Sequence, residues 1–244
     1  MSQITIGNLP EKDYFVQSEI DRLRVNIGFL GEEKKMIMVT SSEPDEGKSY
    51  ISVSIWDELA KAGKKVCFVD MDMRKSVLRS ELHLKTEKEE FIGLSHYLAG
   101  QCKVSDIIYT TERENAFLIP TITLINPSIL LEGARFDALL KGLRDAFDYV
   151  ILDTPPLGLV SDGQLIAGKC DGCILVVRAH KTGRAAVREA VMQLRRVDCP
   201  LLGVVLNRME FQHAKGYYRK GYYRGYGKGY YSKGYYSNAE SESS

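Results

Sequence analysis

The feature that most constrains this chain is an apolar stretch that runs directly into a Gly-Lys-Ser loop. Residues 36–49 read MIMVTSSEPDEGKS, which predicts a buried strand, a phosphate-binding loop and the start of a helix. Successive backbone N–H groups of such a loop, with the N-terminus of the following helix, surround an anion. Ser42 stands where the usual pattern has its first glycine, but the flanking strand and helix support the interpretation. The loop therefore predicts a binding site for a nucleoside triphosphate.

The residues of this loop have separate expected roles. Lys48 is expected to place its charge against the β and γ phosphates, and the Ser49 hydroxyl to help hold Mg²⁺. Tyr50 is a bulky neighbour that is expected to pack in the first turn of the helix. The predicted nucleotide-binding residues are Ser42, Glu43, Pro44, Asp45, Glu46, Gly47, Lys48, Ser49 and Tyr50.

Two more apolar stretches end in aspartates. Residues 66–69 lead into Asp70 and Asp72, and residues 149–152 lead into Asp153. Ligands of an open α/β sheet bind beyond the carboxyl ends of its strands, so these carboxylates are expected to converge on the triphosphate and its metal. An isolated Asp at a strand end more often caps a turn. Three of them in one chain with Gly-Lys-Ser favour a magnesium site formed by Ser49, Asp72 and Asp153.

Strands alternate with helices along most of the chain, which predicts an α/β fold with a doubly wound, mostly parallel sheet flanked by helices. Residues 1–35 are expected to form an N-terminal arm without a strand, 36–214 the P-loop domain and 215–244 a disordered tail. An amphipathic helix in the arm would turn Ile20, Leu23 and Ile27 inward. The further expected helices span residues 47–62, 91–100, 131–147, 162–169 and 181–197, and the further strands 64–69, 173–177 and 201–206. Residues 117–125 are expected to hold a strand and a loop.

The C-terminal tail is rich in tyrosine and cationic. Residues 215–236 contain nine tyrosines, six Lys or Arg and no acid, and glycines interrupt any apolar periodicity. This segment cannot form a core, so it is expected to be disordered and exposed. Beside a phosphoryl-transfer site, exposed tyrosines are candidate phosphate acceptors. They are Tyr217, Tyr218, Tyr222, Tyr223, Tyr226, Tyr230, Tyr231, Tyr235 and Tyr236.

Composition restricts the class of protein. The chain has 244 residues, 44% of them apolar, which suffices for one large domain. Residues 1–214 carry 27 Lys and Arg against 30 Asp and Glu, so the net charge of +1 conceals a mildly acidic body and a cationic tail. The sequence shows no signal peptide and no apolar run of about 18 residues, which favours a cytoplasmic protein. Five cysteines lack a disulfide spacing, and Cys170-x-x-Cys173 is expected to pack as apolar side chains.

The three motifs together resemble those of the bacterial tyrosine kinases that regulate capsule and exopolysaccharide synthesis. The resemblance is carried by S-S-x-P-x-E-G-K-S, by an apolar strand before D-x-D-x-R, and by another before D-T-P-P, and it covers roughly residues 14–236. It implies that Lys48 and Ser49 are Walker A residues, that Asp70 and Asp72 belong to a second acidic motif, and that Asp153 is the Walker B carboxylate.

The reaction implied by this resemblance is transfer of the γ-phosphoryl group of ATP, with Mg²⁺, to tail tyrosines of a neighbouring molecule. Catalysis then consists of positioning and charge stabilisation by Lys48, the loop amides and the metal. A tyrosine has a pKa near 10 and is protonated at neutral pH, so a carboxylate must accept its proton. Asp70 is the expected acceptor, with Asp72 and Asp153 on the metal or its waters.

The resemblance also implies partners. Without a membrane segment, a kinase of this family is expected to be recruited to the inner face of the membrane by a separate transmembrane activator with a cytosolic tail. A cognate phosphotyrosine phosphatase is expected, and no nucleic acid. Relatives assemble into rings through an acidic residue and two arginines spaced by three. Arg24 matches the second arginine, but Ser18 and Asp21 replace the other two residues, which argues against a ring.

Two alternatives remain open from the sequence. Partition and septum-placement ATPases share this general fold, but they carry a second lysine at the position of Glu43. A nucleic-acid-binding protein would use the basic aromatic tail to stack on bases and pair with phosphates. That alternative leaves the three aspartates at strand ends without a role.

Overall fold

The computed structural model describes residues 1–86, 91–124 and 126–209. Met1–Asn207 form one compact unit. The predicted tail and its nine candidate acceptor tyrosines lie outside the described residues.

Strands and helices alternate along the described chain. The strands are β1 (Ile4–Ile6), β2 (Met36–Ser41), β3 (Val66–Asp70), β4 (Leu84–Thr86), β5 (Tyr109–Thr110), β6 (Ala116–Ile119), β7 (Tyr149–Asp153), β8 (Gly172–Arg178) and β9 (Leu201–Asn207). The helices are α1 (Tyr14–Gly28), α2 (Lys48–Lys61), α3 (Leu78–Glu81), α4 (Leu94–Leu98), α5 (Val104–Ile107), α6 (Ser128–Leu131), α7 (Ala134–Ala146), α8 (Asp162–Ala167) and α9 (Arg184–Arg196).

Seven of these strands form the central sheet, in the order β5-β6-β3-β7-β2-β8-β9. All neighbours in it are parallel except β5, which runs antiparallel to β6. The three strands that carry the predicted motifs, β3, β7 and β2, are adjacent, and their carboxyl ends therefore meet at one edge. The predicted doubly wound, mostly parallel sheet is confirmed.

Helices cover both faces of this sheet, which explains why its inner strands are apolar on both sides. One face packs against α1 and α2 through a cluster that includes Trp56 and Phe68, and both rings are fully buried. The opposite face packs against α7, α8 and α9 in two further clusters. Cys173 and Cys199 are buried in one of these clusters, in agreement with the predicted packing role of Cys173.

The structure differs from two sequence predictions. The single helix expected over residues 131–147 is divided into α6 and α7, because Gly133 adopts an extended conformation and caps α7. The N-terminal arm, for which no strand was expected, contains β1, which pairs antiparallel with β4. The arm also contains α1, and its buried Ile20 and Ile27 match the predicted inward face.

A buried group of charges fastens the arm to α2. Lys12 Nζ lies 3.3 Å from Asp57 Oδ2 and 3.2 Å from Glu58 Oε1, and Lys61 Nζ lies 2.8 Å and 2.7 Å from the same two oxygens. Arg113 Nε lies 2.5 Å from the other oxygen of Asp57. Burial by itself would raise the pKa of Glu58, but hydrogen bonds from Lys61, Gln17 and Lys12 lower it to about 2. Glu58 is therefore expected to stabilise the fold in its charged form.

This lowered pKa predicts an acid-sensitive contribution to folding. The contribution is complete above the ordinary Glu pKa of 4.5 and is lost as the pH falls towards about 2. Glu58→Gln should lower the free energy of unfolding at neutral pH by on the order of 2 kcal/mol, and the deficit should shrink on acidification. Urea unfolding at several pH values measures both effects.

The matched control for this prediction is Glu19→Gln. Glu19 also pairs with a cation, Arg22 at 3.0 Å, but both side chains are about half exposed. Exposed pairs contribute little, so this variant should change stability by at most a few tenths of a kcal/mol. A deficit of Glu58→Gln that is constant with pH would contradict the assignment.

Candidate active site

The loop between β2 and α2 has the backbone shape of an anion-binding loop. Gly47 is the N-cap of α2 and adopts a left-handed conformation with φ of 89°. A Cβ atom at this position would lie 2.1 Å from Asn207 Nδ2, so both the conformation and the space require glycine. Asp45 also has a positive φ of 61°. These turns bend the loop around the N-terminus of α2, where a phosphate group binds favourably.

Glu46 supports the loop from inside. Its carboxylate accepts hydrogen bonds from the backbone N–H groups of Ser42 at 2.7 Å and Glu43 at 2.9 Å. The other carboxylate oxygen accepts a hydrogen bond from the hydroxyl of Thr182, and Asn207 Nδ2 donates to the Glu46 carbonyl at 2.9 Å. Glu46 is buried. Within the predicted nucleotide-binding segment, its role in the structure is to stabilise the conformation of the loop through these hydrogen bonds.

Tyr50, the last residue of the predicted segment, points to the N-terminal arm. Its hydroxyl donates a hydrogen bond to the backbone carbonyl of Glu11 at 3.0 Å, and its ring packs against the cluster under α2. Burial, with the nearby Asp13, raises the pKa of Tyr50. The bulky side chain therefore packs beside the arm, a contact that the sequence did not predict.

Lys48, Ser49 and Asp153 meet at the carboxyl edge of the sheet. Lys48 Nζ lies 3.3 Å from Asp72 Oδ2 and 3.8 Å from Asp153 Oδ2. Burial would lower the pKa of Lys48, but the carboxylates of Asp153, Asp72 and Asp70 outweigh it and raise the pKa. The lysine is therefore a permanent cation among three acids.

Two serines on consecutive turns of α2 hold Asp153. Ser49 Oγ donates to Asp153 Oδ2 at 2.7 Å, and Ser52 Oγ donates to Oδ1 at 2.8 Å. Positions three apart share one face of a helix, which explains why both hydroxyls reach the same carboxylate. The interaction fixes the Asp153 side chain against the start of α2.

Asp70 and Asp72 lie beside this group with different exposures. Asp70 pairs in register with Asp153 on the adjacent strand and is 2% exposed. Burial raises its pKa to about 7, assisted by the charge of Asp153, although the Ser76 hydroxyl donates to Asp70 at 2.5 Å and opposes the shift. Asp72 is 7% exposed and accepts hydrogen bonds from Lys48 and from the backbone N–H of Lys75. Asp70 is thus a buried carboxyl group of raised pKa, whereas Asp72 is held by its hydrogen bonds from Lys48 and Lys75.

Arg74 continues the second acidic motif away from the site. Its guanidinium contacts both oxygens of buried Asp162, at 2.5 Å and 3.1 Å, and Ser128 Oγ donates to the same carboxylate at 2.6 Å. Burial would raise the pKa of Asp162, but the hydrogen bonds from Arg74 and Ser128 lower it. This ion pair orients the chain segment that carries Asp70 and Asp72.

The donor set fits a magnesium ion bound together with a triphosphate. One hydroxyl and two carboxylates, from Ser49, Asp72 and Asp153, face the helix N-terminus that attracts phosphate. Magnesium sites in nucleotide-binding proteins commonly use one or two carboxylates and complete the shell with water and phosphate oxygens. The described residues contain no cluster of three or more His, Cys, Asp or Glu side chains arranged to hold a metal.

The structure therefore brings the predicted Lys48, Ser49, Asp70, Asp72 and Asp153 into one group. Sequence reasoning missed the residues that support them: Ser52, Ser76, Thr182 and Asn207. Only two of these carried a sequence signal. Ser52 lies one turn after Ser49 in α2. Asn207 is the last residue of β9, at the carboxyl ends of the strands where the predicted aspartates also lie.

Comparisons with known proteins agree with this geometry. A family model described as an AAA domain matches residues 34–198. The tyrosine-protein kinase CpsD of Streptococcus agalactiae serotype III is 37% identical over 188 residues, which cover 77% of this chain and 80% of that protein. The kinase domain of the Escherichia coli tyrosine kinase ETK matches with a TM-score of 0.73 at 26% identity, over 90% of this chain and 80% of that one. The septum site-determining protein MinD of Pyrococcus horikoshii OT3, solved with Mg-ADP, matches with a TM-score of 0.62 at 25% identity, over 72% and 71% of the two chains.

The fold and the loop define a P-loop nucleotide-binding protein, a class that usually binds its nucleotide with Mg²⁺. The chain belongs to the bacterial tyrosine kinases of the capsule and exopolysaccharide family, and it is a tyrosine kinase. The similarity to MinD reflects the fold that the two groups share. Within the described part of the chain, no helix is both long and apolar enough to span a bilayer.

Proposed function

We propose that this kinase transfers the γ-phosphoryl group of ATP to the tyrosines of residues 215–236 in a second copy of the chain. The observation that carries the proposal is the group formed by Lys48, Ser49, Asp72 and Asp153 at the N-terminus of α2. The tail supplies nine tyrosines without a single acid between them, as expected for acceptors that approach an acidic, phosphate-loaded site.

Each residue of the group has a defined task in the proposed reaction. The loop amides and Lys48 hold the β and γ phosphates and stabilise the negative charge that develops between them. Ser49, Asp72 and Asp153 hold the magnesium ion or its waters. Bound there, the ion neutralises phosphate charge and orients the γ-phosphoryl group. Lys48 Nζ lies within 4 Å of all three of these side chains, so the cation and the expected metal ligands form one group.

The bond changes balance without a further reactant. The acceptor Tyr oxygen forms a bond to the γ phosphorus, while the bond between that phosphorus and the β–γ bridging oxygen breaks and ADP leaves. The phenolic proton passes to Asp70, whose pKa of about 7 suits proton acceptance at neutral pH. Asp70 is buried beside Asp153, so the acceptor hydroxyl has to enter the site to reach it.

Phosphosite mapping tests the choice of acceptor. The purified full chain is incubated with Mg-ATP, and phosphotyrosine is located by mass spectrometry. We expect phosphate on the tail tyrosines, with several per chain. The matched control is the full chain with its nine tail tyrosines replaced by phenylalanine, which should still bind ATP but acquire almost no phosphate. Equal phosphotyrosine in both proteins would place the acceptors elsewhere and refute the proposal.

We also propose that a separate transmembrane activator brings the kinase to the inner face of the membrane through a cytosolic tail. Support comes from the family to which the chain belongs. A pull-down from native membranes with the full chain as bait tests this. We expect to recover a membrane protein whose cytosolic tail stimulates phosphorylation. If the kinase is recovered only with soluble proteins, the proposal is contradicted.

A further inference from the structure

We propose that an acidic cleft beside the P-loop binds the cation that precedes each acceptor tyrosine, and so selects which tail tyrosines are phosphorylated first. This inference rests on the proposed function, because it names the surface by which the same site recognises the tail of a second copy. The cleft has a volume of about 560 Å³ and lies between residues 42–45, Gly158 and one side of α9.

The cleft carries an excess of negative charge. Glu43 and Asp45 on the loop and Glu189 on α9 line it, against one cation, Lys181. All three acids are exposed. Within the described residues Glu189 pairs weakly with Arg196, because the two charged groups are 3.8 Å apart and both side chains are more than half exposed. A cationic segment is therefore the complementary occupant.

A second observation points to a ligand at the same place. Ser42 lines the cleft, and its buried hydroxyl has no hydrogen-bond partner among the described residues. Gly158 packs so closely on the Ser42 carbonyl that a Cβ atom there would lie 2.6 Å from its oxygen. This wall is thus tightly built, and it offers a polar group that the protein itself leaves unsatisfied.

The tail has a repeated pattern that matches such a cleft. Residues 215–236 contain five units in which Lys or Arg is followed by Gly and then Tyr, beginning at Lys215, Lys220, Arg224, Lys228 and Lys233. Five of the six tail cations thus stand two positions before a tyrosine, and the intervening residue is always glycine. The spacing is a recognition pattern in addition to a general positive charge.

The spacing also agrees with the position of the cleft. Two residues of extended chain span about 7 Å. Residues 42–45 line the cleft and precede Gly47 and Lys48 in the same loop, so the cleft adjoins the phosphate site along the chain. The glycine between cation and tyrosine lets the chain pass close to the loop backbone. The tyrosines that directly follow glycine, at 217, 222, 226, 230 and 235, should therefore be modified before their neighbours at 218, 223, 231 and 236.

A charge-reversal experiment tests the inference with full chains. The donor is the kinase with its nine tail tyrosines changed to Phe, and the acceptor is the Lys48→Met chain, supplied with its native tail or with the five repeat cations changed to Gln. Donor Glu189→Lys should phosphorylate the native tail roughly threefold more slowly at low salt, and salt should reduce the difference. Towards the Gln tail, this donor and the unchanged donor should have the same rate.

Controls separate the possible failures. Glu112→Lys reverses a charge next to β5, at the opposite edge of the sheet, and should have no effect. If the unchanged donor does not phosphorylate the native tail, the proposed function itself fails. Suppose instead that the unchanged donor does phosphorylate the native tail. If Glu189→Lys then phosphorylates the native tail at the same rate, or phosphorylates both tails more slowly by the same factor, only the cleft assignment is overturned. A change in ATP affinity would also overturn it, because the cleft would then belong to the nucleotide site. Glu189→Gln, which only removes the charge, serves if the reversed variant does not fold.

Discussion

Lys48→Met is expected to reduce tyrosine phosphorylation by about two to three orders of magnitude, the usual effect of losing one preorganised charge at a transition state. The side chain lies 3.3 Å from Asp72 and 3.8 Å from Asp153, where methionine offers no charge to the phosphates. The fold should survive, since Lys48 faces the site and not the core. Radiolabel transfer from ATP to the purified chain measures the loss.

The matched control for this variant is Lys64→Met, which removes an exposed lysine just beyond the end of the same helix. It should retain full activity. Phosphotyrosine at the unchanged level in purified Lys48→Met, with no other kinase present, would show that this loop does not hold the transferred phosphate.

Asp153→Asn is the second substitution with a large expected effect. It keeps the size of the side chain but removes the charge that accepts hydrogen bonds from Ser49 and Ser52. Activity should fall by at least about a hundredfold, and excess Mg²⁺ should restore little of it. Unfolding by heat should show little change in stability, because the substitution removes the repulsion between Asp153 and Asp70 and also the attraction between Asp153 and Lys48.

Asp148→Asn provides the comparison for Asp153→Asn. Asp148 is exposed and directly precedes β7, and its carboxylate accepts a hydrogen bond from the backbone N–H of Lys65. An asparagine oxygen can accept the same bond, so activity should be unchanged. A fully active Asp153→Asn would exclude Asp153 from the metal site. A strongly unfolded one would show that the carboxylate is structural.

The part of the site that the sequence predicted is the part encoded by local patterns. The Gly-Lys-Ser loop and the aspartates at the ends of β3 and β7 could be predicted, because each motif follows directly after an apolar strand in the sequence. Parallel register then brings Asp70 beside Asp153. Because both aspartates stand at the ends of their strands, the pattern that predicted the two strands also predicted that these side chains would be close.

The supporting contacts were not predictable because they join distant segments. Glu46 is held by Thr182 and Asn207, which lie more than a hundred residues further along the chain. Lys12 pairs with Asp57 and Glu58 across about 45 residues. No local pattern marks either partner of such a pair. The division between α6 and α7 was missed for another reason, since a single Gly133 interrupts an otherwise continuous apolar periodicity.

Mixing two complementary chains tests whether one molecule phosphorylates the tail of another. One chain carries Lys48→Met with a native tail, and the other is active but has its nine tail tyrosines changed to phenylalanine. Neither should gain phosphate when incubated alone with Mg-ATP. In the mixture we predict phosphotyrosine on residues 215–236 of the Lys48→Met chain, at an initial rate that rises with the concentration of the active partner. A Lys48→Met chain that stays unphosphorylated beside a partner of proven ATP binding would contradict transfer between molecules.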